Sequence, residues 1–187
     1  VSIIDLYGGD VFDFESFGDH RFDLLAVSRA LANTCRFGGH CDRFYSVAEH
    51  CLRMASAATE AGRVHVLLHD LGEAYIGDIV GPLKDMFPEI GMLEEQILRC
   101  AYRQLRVAWP TADETREVRG LDKRMYVAER QIIMPGAVPR HDLPLALQFS
   151  PTEASTFGWS PEKAAAQYHA ALLEELRCYR ERQGAGS

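Results

Sequence analysis

The 187-residue chain is 47% hydrophobic and 25% charged, which suits one soluble globular domain with a sizeable core. No apolar run has the length of a membrane span, and residues 1–18 carry Asp and Glu where a signal peptide would carry Lys or Arg, so a cytoplasmic protein off the membrane is expected. The formal charge of −7 argues against a general nucleic-acid binder, and five cysteines without a C-x-x-C pattern fit a reducing compartment better than a disulfide framework.

Residues 3–14 read as a short β-hairpin, with alternating arms joined through Gly8-Gly9. A helical pattern follows over residues 22–32, with Leu25, Ser28 and Leu31 on one side and Asp19 as a candidate cap. Residues 33–45 have no period but contain Arg36, Phe37, two glycines, His40, Arg43, Phe44 and Tyr45. Such a loop can wrap a planar or phosphorylated ligand, or can simply connect two helices. Ser46 and Glu49 have capping-box spacing and open a helix predicted to reach about Ala61, with His50 at the edge of its apolar stripe.

The next predicted helix, 63–75, carries the central feature of the chain. Behind the apolar run 64–68 come His69, Asp70 and Glu73, with Asp78 just past Gly77. A core helix that turns to His, Asp and Glu breaks its pattern, as expected at a functional site. Residues 89–106 form a long amphipathic helix. Thr111 and Glu114 form a second capping box for a helix that runs to the Pro135-Gly136 stop and carries Asp122 and Glu129 on one side. Residues 137–157 read as irregular with one helical turn, and Ser160-Pro161 opens a last helix to about residue 182. The predicted fold is all-α, a bundle of about six helices around one core with a short N-terminal β-hairpin, and one domain over residues 1–187.

His50, His69 with Asp70, and Asp122 thus lie on three helices, each at the edge of an apolar stripe, where packing can bring them together around a divalent cation. A bare His-Asp dipeptide also fits a buried His69 bonded to a carbonyl with Asp70 capping a neighbour. His65 and His69, four apart, form a rival pair, and Cys41 and Cys51 match no zinc spacing.

Taken together, Arg36-Phe37-Gly38-Gly39-His40, Phe44-Tyr45-Ser46-Val47-Ala48-Glu49-His50, Leu67-Leu68-His69-Asp70, Glu73-Ala74-Tyr75, Gly77-Asp78-Ile79, Pro82-Leu83-Lys84 and Asp122 resemble the HD-domain phosphohydrolases. The branch is similar to the bacterial and phage nucleotide hydrolases, and the likeness covers about residues 20–135. The resemblance implies one divalent cation (Mn, Co, Zn or Mg) held by His50, His69, Asp70 and Asp122. It implies Glu73 and Asp78 as the catalytic acidic pair, and Arg36, Phe37 and Lys84 at the substrate. Tyr45 is a further candidate for stacking on a base or sugar. Glu129 would bind a second cation or a sugar hydroxyl, or be an exposed helix carboxylate.

Val80-Gly81 departs from the proline often found there in this branch, and residues after Pro135 match nothing assignable. The resemblance implies cleavage of a deoxynucleotide at the α-phosphorus. The motif style leans to a triphosphate, with dATP the candidate, giving nucleoside plus triphosphate. A 5′-deoxynucleotidase acting on monophosphates is the alternative. From another class come a nucleotide-binding regulatory domain without catalysis and a closed structural zinc site. The substrate partner is a small nucleotide, and a homo-oligomer is expected.

Overall fold

The structure, a computed structural model, describes residues 2–138 and 140–184. The chain opens with an antiparallel hairpin, β1 (Ile3–Asp5) and β2 (Val11–Asp13), in which Ile4 stands opposite Phe12. Gly8 and Gly9 both take positive φ, the conformation a tight connection between twisted strands demands. Phe12 is fully buried against Phe14, Phe17, His20 and Tyr75, so the hairpin docks on the helical body through one aromatic cluster.

All else of regular structure among the described residues is helical. α1 (Leu24–Asn33) is capped by Asp23 rather than Asp19, and it buries Val27, Ser28, Leu31 and Ala32 while Leu25 faces solvent. α2 (Val47–Ala55) starts where the Ser46 hydroxyl accepts the Glu49 amide, and it ends six residues earlier than its sequence suggests. Glu49 does not complete a capping box. Its buried carboxylate instead accepts from Arg53 and from the Gly158 and Trp159 amides, and so ties α2 to the start of the last helix.

The predicted 63–75 helix is divided into α3 (Arg63–Leu68) and α4 (Glu73–Ile76). Between them the amides of Leu71, Glu73, Ala74 and Tyr75 reach back three residues instead of four. This is a 3₁₀-type tightening of the chain. α5 (Gly81–Met86) is short, and α6 (Pro88–Leu105) is the predicted long amphipathic helix. α7 (Ala112–Ile133) begins with the full Thr111/Glu114 capping box. α8 (Pro151–Ala154) is a single turn inside the irregular segment, and α9 (Pro161–Gly184) starts where Ser160 accepts the Lys163 amide. α9 lies against α1, α2 and α3 and buries Tyr168, Leu172 and Leu176. The architecture is mostly helical with a two-stranded N-terminal hairpin, and no helix is long and apolar enough to cross a membrane among the described residues.

Candidate metal centre

The break after Leu68 shapes the site. Its tightened turn leaves two carbonyls of α3 to side chains: Val66 C=O accepts from His69 Nδ1 at 2.7 Å, and Leu67 C=O accepts the Tyr168 hydroxyl from α9 at 2.5 Å. Gly72 lets α6 approach the same turn, for a Cβ there would sit 2.9 Å from Glu94 Cγ. The turn is therefore locked from three sides. With it locked, the adjacent side chains of His69 and Asp70 face the same point, their Nε2 and Oδ2 atoms 3.2 Å apart.

From α2, His50 reaches this point fully buried. Its Nε2 lies 3.7 Å from Asp70 Oδ2 and 3.4 Å from Asp122 Oδ1 of α7. His50, His69 and Asp122 form one group of donor atoms within 4.8 Å, and Asp70 adjoins both imidazoles. Ligand atoms about 2.1 Å from a tetrahedral ion stand about 3.4 Å apart, the spacing found here.

The protonation pattern fits as well. His50 Nδ1 is committed to Glu129 Oε1 at 2.6 Å and His69 Nδ1 to the Val66 carbonyl, so each ring presents Nε2 as its free nitrogen. Both Nε2 atoms are buried without a well-formed hydrogen bond. Burial opposes a charge on either ring, and Arg36 opposes one on His50. Even so, the carboxylates hold both rings above the ordinary histidine value, Asp70 acting on His69 and Glu129 and Asp122 on His50. Burial likewise opposes the charge on Asp70 and Asp122, yet the imidazoles hold both carboxyls below the ordinary range, helped at Asp70 by Arg36. The pocket favours positive charge at its centre, and these donors can hold a metal ion. Cys51 lies behind the His69 ring, 3.9 Å from Nδ1, and forms a second donor group with His69 and Asp70; burial pushes its thiol up to about 11. His65 is turned to Tyr102 and Glu114 and joins no donor group with His69 among the described residues.

The other candidates are placed differently from one another. Glu73 is buried beside Asp70, its Oε1 3.2 Å from Lys84 Nζ and its Oε2 without a partner. Burial, then Asp70 and Asp78, push its carboxyl up to about 9. Lys84 is no free phosphate-binding cation, because its ammonium bridges Glu73 and Glu94, the latter at 2.7 Å. Arg36 is buried too, with its guanidinium 3.5 Å from Asp70 and 3.3 Å from Glu129. It lies within the wall of the site between these two carboxylates, its Nε without a well-formed hydrogen bond.

Phe37 and Gly38 stand at left-handed φ of 60° and 58°. For a phenylalanine this costs about 1–2 kcal/mol, and the Phe37 amide is secured by Asp78 Oδ2 at 2.9 Å. The ring lies 5.8 Å from Tyr126, one turn beyond Asp122 on α7. Tyr45 is excluded from substrate by burial, since its ring is fully covered and stacked on Phe157 at 5.4 Å. Glu129 is neither exposed nor open to a sugar. It is fully buried between His50 and Arg36, where it sets the orientation of the imidazole.

The residue that sequence reasoning missed is Glu94. It keeps register with Ile97 and Ala101 on the buried side of α6, and a carboxylate in phase with an apolar stripe was the available signal.

The fold and the site together define a mainly helical protein with a buried histidine–carboxylate group able to hold a metal ion. No family model matches the chain. It is similar to the uncharacterized protein YfdR of Escherichia coli (strain K12), with 33% identity over 97 residues, 52% of this chain and 54% of that protein. The match therefore spans about half the length of that relative.

Proposed function

We propose that the protein is a divalent-metal-dependent phosphohydrolase that cleaves deoxynucleotides at the α-phosphorus. The observation that carries this reading is the pair of buried Nε2 atoms of His50 and His69, neither in a well-formed hydrogen bond, that meet Asp70 and Asp122 at one point beside Glu73. A cation held there would supply a polarised water and charge neutralisation for the phosphate.

The protein's own part is to place bases and acceptors around that point. Glu73, with one oxygen held by Lys84 and the other free, accepts the proton of the attacking water. Asp78, pinned to the Phe37 amide, presents its second oxygen to the sugar or the leaving oxygen. Arg36 and Glu129 hold Asp70 and His50 in place rather than touching phosphate. A closed structural zinc site would leave Glu73 and its free oxygen without a purpose.

The resemblance to nucleotide hydrolases supports the deoxynucleotide substrate, with the triphosphate, dATP among them, ahead of the monophosphate. The test is a panel of dNMPs, dNTPs and rNTPs given to protein stripped and reloaded with Mn, Co, Mg or Zn, with products separated by chromatography. Nucleoside plus inorganic triphosphate establishes the triphosphate reading, and nucleoside plus phosphate from monophosphates establishes the nucleotidase. Absence of turnover with every metal overturns the enzyme reading.

A further inference from the structure

A cavity of about 510 Å³ lies between α3, α6 and α7, and His69 forms part of its wall. The metal centre and this cavity thus share a side chain. The remaining walls mix apolar and aromatic side chains, Leu98, Tyr102, Trp109 and Val118, with the charged Glu94, Glu95, Arg99 and Arg119. Tyr102 and Trp109 stand 5.0 Å apart, and the Arg99 guanidinium lies 4.0 Å over the Trp109 ring and stiffens it. Ligand sites of about 300–1,000 Å³ with apolar walls and a few polar groups are the usual form for a small organic molecule.

Charge decides which part of a substrate fits. Glu94 is paired with Lys84, Glu95 with Arg99 at 2.7 Å, and His65 faces Glu114 at 3.5 Å. The charges around the cavity cancel in pairs, and among the described residues Arg119 is left without an ion-pair partner. A polyphosphate needs several uncompensated cations and does not find them here. A flat, nearly neutral heterocycle gains apolar contact from the walls. Its polar edge meets Thr115 and Arg119, which stand on α7 as does Asp122. We propose that this α3–α6–α7 cavity holds the nucleobase while the phosphate lies at the His50–His69–Asp70–Asp122 point. The assignment rests on the phosphohydrolase reading and adds the place where base specificity is set.

The chain has two tryptophans, and only Trp109 lines the cavity. A Trp159→Phe variant therefore reports on the cavity alone. Titrated with unphosphorylated deoxynucleosides, it should show saturable quenching of Trp109 emission, with none from deoxyribose 5-phosphate or inorganic triphosphate. Filling the cavity with Leu98→Phe or, separately, Val118→Phe should lower kcat/KM for the preferred nucleotide by at least about tenfold while hydrolysis of deoxyribose 5-phosphate, which carries no base, stays within about twofold. Nucleotide turnover without nucleoside quenching, quenching by the phosphate compounds alone, or equal loss on both substrates overturns the base assignment. Nucleoside quenching in a protein that hydrolyses neither substrate supports the cavity as a base site and overturns the phosphohydrolase reading instead.

Discussion

His50 Nδ1 donates to Glu129 Oε1 over 2.6 Å, and both side chains are fully buried although 79 residues separate them. This bond fixes which imidazole nitrogen faces the candidate metal point, and the same carboxylate holds Arg36. Glu129→Gln keeps the shape but weakens the charge-assisted bond. Metal affinity, measured by titration into stripped protein, should fall about 10–100-fold with the far-UV circular dichroism unchanged. Glu129→Ala should also destabilise the fold, by about 3–5 kcal/mol, because it strands a buried guanidinium. An unchanged metal affinity in Glu129→Gln would remove the orienting role.

Asp70 touches both free imidazole nitrogens and Arg36. Asp70→Asn should abolish turnover, as should treatment of the wild-type protein with a chelator. Thermal melting gives a readout independent of activity. A metal at 100 times its Kd stabilises the native state by about 2.7 kcal/mol, so Mn should raise the wild-type Tm and leave that of Asp70→Asn nearly unmoved. An active Asp70→Asn protein would sink the metal mechanism.

Tyr45 stacks on Phe157 inside the core and does not reach the mouth of the site. Tyr45→Ala should cost about 3–5 kcal/mol of stability through the cavity it leaves. Assayed well below its melting temperature, it should change KM little. A large KM effect in a fully folded variant would return Tyr45 to the substrate site.

His65, buried beside Tyr102, has its pKa lowered by burial, with Glu114 acting in the opposite direction. The unfolded chain therefore takes up a proton first as pH falls. The contribution of a neutral His65 is fully present above the ordinary value near 6.5 and is lost as pH drops from there toward the lower folded value. Urea midpoints measured from pH 7.5 to 5.0 should decline less steeply for His65→Gln than for wild type. Parallel slopes would show that another group governs this window.

The sequence by itself determined the features that arise from neighbours along the chain. The hairpin around Gly8-Gly9, the Ser46 and Thr111 caps, the α6 and α7 periodicities and the edge positions of His50, His69 and Asp122 all follow from local spacing. Local rules did not foresee the break after Leu68. It depends on Tyr168 from α9 taking a carbonyl and on Gly72 admitting α6, and both are contacts across the fold. The tertiary structure also decided which charged side chains are free. Arg36 and Lys84 read in sequence as cations awaiting phosphate, but burial among Asp70, Glu129, Glu73 and Glu94 leaves them neutralised. A charge taken out of water must find a partner, and which partner lies within reach is a property of packing, not of chain order.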